Sequence, residues 1–223
     1  MTDYHSHILP KMDDGSKSVE ESLALLREEV RQGIDTVVMT PHFYAGQNSP
    51  RHFLKRRYEA FQRLRPMLDR TCPRIILGAE VQFFPGIGDC EEIPLLTVGQ
   101  TKFLLLEMPF SKWDSQTLQE TLLLRDRQDV RVVLAHIDRY YTDQPASLWR
   151  ELHDAGILMQ LNASALDGPL DRLRYRKLID KGYIQMLGSD CHNMTSRPPR
   201  WDRITPEISG QVLENMRCAM GSR

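Results

Sequence analysis

No apolar run in this chain approaches the roughly 18 residues of a membrane-spanning helix. Phe103 to Phe110 is the kind of run that forms a buried strand instead. Met1-Thr2-Asp3-Tyr4-His5 has no basic segment leading into an apolar one, so no secretory signal is expected. Cysteines are few, four in 223 residues, and Cys72, Cys90, Cys191 and Cys218 are too scattered for a C-x-x-C pair. Reduced thiols and a cytoplasmic location are therefore expected. Charge of one sign is lacking as well. The 29 Lys and Arg balance 30 Asp and Glu to a net −1, which gives no general pull toward nucleic acid or insertion into a membrane. No G-x-G-x-x-G follows the first strand, and Gly86-Ile87-Gly88 is too isolated to serve as a dinucleotide fingerprint. No low-complexity tract or composition shift marks a linker. Residues 1–223 are read as one domain, and their 41% apolar content is enough for a substantial core.

Short apolar runs alternate with amphipathic helices along the whole chain. Ser18 and Glu21 form a capping box, and Val19, Leu23, Leu26 and Val30 mark one helical face that ends near Gly33. Strands are expected at Ile34–Thr40, Ile75–Leu77, Phe103–Leu106, Val132–Ala135, Ile157–Leu161 and Ile184–Leu187. Further helices are expected from Pro50, from Ser115 as a cap to about Gln128, over Pro145–Ala155 and Asp171–Lys181, and from Pro206. Residues 83–100 read mostly as loop with a short helix. This β-then-α order, repeated about seven times with continuously apolar strands, predicts a parallel α/β sheet covered by helices. An open doubly wound sheet and a closed barrel both fit.

Chemistry gathers where those strands end. The residues there are His5 and His7, then His42, Glu80, Glu107, His136, Asn162, and finally Asp190 with His192. That end of a parallel α/β sheet is where sites assemble. Unpaired buried charge costs several kcal/mol, so ionisable groups at six strand ends are poorly explained by packing. In an extended segment His5 and His7 point to one side, and Pro10 with Asp13-Asp14-Gly15 lets the chain turn a carboxylate back toward them. Imidazoles and carboxylates together suit Zn, Mn or Fe, and their number suits two or three ions that share bridging carboxylates.

These residues lie in motifs that resemble the PHP (polymerase and histidinol phosphatase) superfamily. The resemblance is strongest to its CpsB/CapC-like bacterial tyrosine phosphatases, which regulate capsule and exopolysaccharide synthesis. The motifs are D-Y-H-S-H-I-L-P-K-M-D-D-G (3–15), T-P-H-F (40–43), G-A-E (78–80), L-E-M-P-F (106–110), A-H-I-D-R-Y (135–140), S-D-C-H-N (189–193) and R-P-P (197–199). The resemblance implies a distorted (β/α)7 barrel with about three metal ions, commonly Mn, with Zn, Fe or Mg as alternatives. It implies that His5, His7, Glu80 and Asp190 hold the first ion. Glu80 as a bridge, with Glu107 and His136, would hold the second. Asp14, His42 and His192 would hold the third, with Asp13 in reserve for Asp14. Arg139 and Arg197 match the positions that grip phosphate. Ile137-Asp138, Lys11 and Cys191 depart from the usual pattern, and none of them is a ligand.

The activity implied is hydrolysis of phosphotyrosine on a protein or peptide, in particular the tail of a bacterial tyrosine autokinase, by a metal-activated hydroxide. Tyrosinate, with a pKa of ~10, leaves readily, and His42 is the nearest candidate acid if it is not a ligand. The other readings are a small-molecule phosphatase such as histidinol phosphatase, or a catalytically silent PHP binding module. A homo-oligomer is compatible with all three.

Four other features compete for a role. Phe43, Tyr44, Phe83, Phe84, Phe110 and Trp113 follow strand ends and either shape a pocket for a phenyl ring or pack the rim. Arg172, Arg174, Arg176 and Lys177 read as a solvated helix face. His52 and His153 read as structural. Cys191 to Arg197 spells C-x5-R, the spacing of the cysteine-dependent phosphatases, but has no glycine between its ends to let backbone amides converge.

Overall fold

The computed structural model describes residues 1–221; Ser222 and Arg223, the end of the expected domain, lie outside the described residues. Among the described residues there are nine strands: β1 (Thr2–Ser6), β2 (Thr36–Met39), β3 (His42–Phe43), β4 (Arg74–Leu77), β5 (Glu80–Gln82), β6 (Phe103–Glu107), β7 (Arg131–Leu134), β8 (Leu158–Asn162) and β9 (Met186–Gly188). The helices are α1 (Val19–Arg31), α2 (Pro50–Leu64), α3 (Ser115–Asp126), α4 (Ala146–Asp154), α5 (Pro169–Asp180) and α6 (Pro206–Gly221).

Every strand pair is parallel. The strands form a three-stranded sheet, β1-β2-β4, and a six-stranded one, β3-β5-β6-β7-β8-β9. The division is local. Pro41, which has no N–H to donate to a ladder, lies between β2 and β3, and Gly78-Ala79 lies between β4 and β5. With β2–β3 and β4–β5 each taken as one interrupted strand, nine segments reduce to seven positions. The far edge curls back, because His7 N donates to Cys191 O at 2.9 Å and Asp190 N to His5 O at 2.8 Å. The result is the expected distorted (β/α)7 barrel, closed loosely between β9 and β1.

The strands are buried as the apolar runs predict; all five residues of β8 are inside. Helices form where the caps and periodicity place them, with some differences. In α1 the inward face carries Leu23, Leu25, Leu26 and Glu29, while Val30 is 38% exposed. Glu29 turns inward because its carboxylate accepts from Trp201 Nε1 at 2.7 Å. The N-cap of α3 is Asp114, which accepts from Thr117 N at 2.8 Å, and Ser115 becomes the first helical residue. Residues 83–100 hold two short 3₁₀ turns, Ile87–Asp89 and Ile93–Leu96.

Candidate metal centre

Backbone geometry at the end of β1 starts the site. His5 and His7, two apart on an extended segment, bring their Nε2 atoms to 3.1 Å. The chain then reverses: Lys11, with φ of 59°, donates its N–H to Ser16 O at 2.8 Å, and Ser16 N donates to His7 O at 3.0 Å. Gly15 is required at that reversal, since a Cβ there would stand 2.1 Å from His7 O.

The turn separates its two carboxylates. Asp13 accepts from His7 Nδ1 at 2.8 Å, from His42 N at 2.9 Å and from Gly15 N at 3.0 Å. It is thereby committed to holding His7 so that Nε2 faces inward. Asp14 faces the site, with Oδ1 3.4 Å from His192 Nε2 and 3.7 Å from His42 Nε2.

Glu80 lies at the centre. β3 and β5 pair so that His42 stands opposite Glu80. Glu80 Oε2 lies 3.2 Å from His5 Nε2, 3.1 Å from His7 Nε2 and 3.0 Å from His42 Nδ1. None of these approaches is aligned as a hydrogen bond, and both Oε2 and His42 Nδ1 are buried without a hydrogen-bond partner. Glu80 Oε1 is 2.8 Å from His136 Nε2, which is also 3.5 Å from Glu107 Oε1. Three imidazole nitrogens crowded on one buried carboxylate oxygen without an aligned hydrogen bond is the arrangement a shared cation satisfies. The residues present fit metal ions.

Donor atoms close enough to share an ion fall into three groups around this point: His5, His7 and Asp190; His42, Glu80 and Glu107; and His7, Asp14, His42 and His192. His136 faces the Glu80–Glu107 pair of the second group. The structure thus brings all nine residues expected as ligands to one pocket. Asp13, the reserve, faces away from it.

The electrostatics agree. Burial alone would pull the His7 imidazolium down, but the Asp13 and Glu80 carboxylates hold it well above its usual range. His136 is likewise lifted against burial, to about 9, by Glu107 and Glu80. Burial would raise Glu80, yet the charge on His5 and the hydrogen bond from His136 hold it well below the usual carboxylate range.

Both arginines reach Asp190. Arg197 Nη2 lies 2.8 Å from Asp190 Oδ1, and Arg139 Nη2 pairs with Oδ2. Arg197 Nη1 also donates to His192 Nε2 at 2.8 Å, while His192 Nδ1 donates to Asp190 O at 3.0 Å. Burial and the His7 charge push His192 down to about 3, so it is neutral and can accept that bond. Two of these residues have left-handed backbones, His136 with φ of 28° and Asp190 with φ of 52°. Such strain persists where surrounding structure over-determines it, often at functional sites.

Sequence reasoning missed Gln160. Its Oε1 accepts from His5 Nδ1 at 3.1 Å and from His136 N at 2.6 Å, which turns His5 Nε2 into the site. The available signal was a lone amide inside the apolar run Leu158–Leu161.

A family model described as capsular polysaccharide synthesis, CpsB/CapC, matches residues 1–218. The tyrosine-protein phosphatase CpsB of Streptococcus pneumoniae is 30% identical over 215 residues, covering 89% of this chain and 86% of that protein. The tyrosine-protein phosphatase YwqE of Bacillus subtilis is 30% identical over 206 residues, covering 88% and 79%. Among solved structures, one described with YwqE from B. subtilis and CpsB from S. pneumoniae as unique metal-dependent tyrosine phosphatases superposes with a TM-score of 0.76. That match has 24% identity and covers all of this chain and 89% of the other, a likeness of fold.

Proposed function

The chain belongs to the CpsB/CapC family of capsular polysaccharide synthesis, and on that premise we propose that it is a metal-dependent protein-tyrosine phosphatase. The observation that carries this is Glu80 Oε2, buried without a hydrogen bond yet within 3.2 Å of three imidazole nitrogens. Relatives named tyrosine-protein phosphatases support the reaction class. In this reading His5, His7, Glu80 and Asp190 hold one ion. Glu80, Glu107 and His136 hold a second, and Asp14, His42 and His192 hold a third. Manganese is the proposed ion, in keeping with a mixed nitrogen and oxygen donor set. When bound, the ions supply a water acidic enough to lose its proton near neutral pH and positive charge opposite the phosphoryl oxygens.

The chain's own residues do the rest. Arg139 and Arg197 meet on Asp190 with about a third of each side chain exposed. Their outward N–H groups can donate two parallel bonds to phosphoryl oxygens, which lysine cannot do. Those bonds strengthen as charge moves onto the oxygens. Asp13 and Gln160 hold His7 and His5 in the inward-facing tautomer. His42 directs both ring nitrogens at carboxylates, Nδ1 at Glu80 and Nε2 at Asp14, so it is read as a ligand rather than as an acid. A tyrosinate leaving group with a pKa of ~10 makes a strong general acid dispensable. The substrate proposed is a phosphotyrosyl protein segment, and the tail of a bacterial tyrosine autokinase is the partner the family resemblance implies.

A side-by-side assay tests the reading. Purified chain, analysed for metal, is given phosphotyrosyl peptide and histidinol phosphate before chelation, after chelation and after manganese add-back. Expected are about three ions per chain, a large preference for the peptide, and loss and recovery of activity with metal. Full activity in metal-free protein, or preference for histidinol phosphate, overturns it.

A further inference from the structure

Six aromatic side chains follow strand ends near the site, and the fold uses them in two ways. Phe43 and Trp113 are buried in the core, and Phe83 and Phe84 pack against it. Tyr44 and Phe110 belong to neither hydrophobic cluster of the fold. Phe110 is 55% exposed, so its ring is open to solvent at the site rather than held in the core.

Both rings lie flat on imidazoles of the metal centre. Phe110 stacks on His136 with centroids 5.8 Å apart and planes 18° from parallel. Tyr44 stacks on His42 at 5.2 Å and 22°. Those two imidazoles face the two oxygens of one carboxylate: His136 Nε2 is 3.5 Å from Glu107 Oε1, and His42 Nδ1 is 4.0 Å from Glu107 Oε2. The rings therefore stand on either side of Glu107, on the β3–β7 side of the pocket. Arg139 and Arg197 meet at Asp190 of the same site. Phe110 is also held from behind by Tyr140, whose ring lies 6.0 Å away and is fully buried. The site therefore carries a guanidinium pair at Asp190 and two flat ring faces at His42 and His136, the two kinds of surface an aryl phosphate needs.

We propose that Phe110 and Tyr44 form an aryl subsite, which seats the phenyl ring of a phosphotyrosyl residue while its phosphoryl group meets the arginines and metals. This rests on the phosphatase reading above. It makes the preference for aryl over alkyl monoesters a property of two rim residues rather than of the ligand set.

The test is binding of two probes to the manganese-loaded protein by calorimetry, phenylphosphonate and methylphosphonate. They share the phosphoryl analogue and differ in the ring. Wild type is expected to prefer the phenyl compound. Phe110→Ala and Tyr44→Ala are each expected to weaken phenylphosphonate binding about three- to tenfold, the scale of an aromatic contact, and to leave methylphosphonate unchanged. Phe110→Leu, which keeps apolar bulk and the fold but loses the flat face, should fall between. In steady state, KM for a phosphotyrosyl peptide should rise in step while kcat stays within about twofold. Lack of a phenyl preference in wild type, or its retention in both alanine variants, overturns the subsite. If wild type binds the phenyl probe selectively yet fails to hydrolyse the peptide, the subsite stands and the phosphatase reading falls.

Discussion

Asp13 and Asp14 are neighbours with the same carboxylate, and the turn gives them opposite duties. Asp13 is spent on three hydrogen bonds that fix His7 and the turn, while Asp14 faces His42 and His192. Asp14→Ala is expected to lose one ion outright. Asp13→Ala should keep all the ligands but weaken metal affinity about 10–100-fold, the usual effect of removing a partner that orients a ligating histidine. Competition with a fluorescent chelator separates the two. Arg139→Ala and Arg197→Ala should each cost about 2–4 kcal/mol of transition-state stabilisation with metal content unchanged. Unaltered kinetics in both would mean that the metals alone bind phosphate. Cys191 is the reverse case, a residue whose spacing to Arg197 suggests a nucleophile and whose surroundings forbid one. It is wholly buried, its Sγ points at Glu29 Oε1 at 3.8 Å, and burial with the Glu29 and Asp3 charges pushes the thiol well above its ordinary range. A catalytic thiolate needs the opposite environment. Cys191→Ser should therefore retain most activity, and iodoacetamide should leave Cys191 unlabelled in the native protein.

Elements deliver these side chains only because two of them touch without side chains between. At Gly15 a Cβ would stand 2.1 Å from His7 O and 2.6 Å from His7 Cβ; at Gly188 one would stand 2.6 Å from His5 Cβ. The turn after β1 and the end of β9 thus press directly on the two histidines that open the site. Gly15→Ala should cost about 1–3 kcal/mol, as overpacking does, and should lower metal stoichiometry as well, because relief of the clash moves His7. Urea unfolding with elemental analysis reads both effects. A change in stability without loss of metal would mean the turn absorbs the Cβ elsewhere. Local caps were legible to varying degrees. Ser18 caps α1 as its spacing to Glu21 predicts, accepting from Glu21 N at 3.2 Å. Asp114 rather than Ser115 caps α3, since both residue types cap well and only the turn geometry chooses. Val30 yields the inner face of α1 to Glu29 because Trp201, 172 positions away in the chain, supplies its partner.

Across the whole molecule, β9 returning to β1 encloses a second set of acids behind the site. Asp3 accepts from Ser189 N at 2.9 Å and Ser189 Oγ at 2.6 Å, and burial lifts it to about 6. Glu29 is raised well above the carboxylate range by burial and by Asp3. A carboxyl with a raised folded-state pKa keeps a proton that the unfolded chain has released. Its contribution to stability is full below the unfolded pKa and is lost as pH rises through the folded one. Glu29→Gln carries no such titration, and its amide oxygen can still accept from Trp201. It should therefore stabilise the protein at pH 8, where the wild-type carboxyl must either hold a proton that the unfolded chain has released or carry a buried charge. The gain should vanish near pH 4.5, about where an unfolded glutamate takes up its proton. Thermal melts of both proteins across that range test the sign. A gain that is constant with pH would mean that Glu29 is ionised in the fold.

The order of strands and helices, the parallel sheet and the ionisable residues that gather at the candidate metal site follow from local pattern. Apolar runs of strand length mark burial on both faces, and ionisable residues placed just beyond them are worth their desolvation only if they meet a shared partner. Resemblance in motif, rather than periodicity, separated a barrel from an open sheet. Tertiary structure alone decided which of two adjacent aspartates faces inward, that Gln160 orients His5, that Glu29 displaces Val30, and which two of six rim aromatics stay out of the core and stack on the site's imidazoles. Each of these depends on atoms brought together across long stretches of chain. Spacing along a sequence carries the period of a strand or helix, and it does not carry the distance between two strands that meet only when the sheet curls closed.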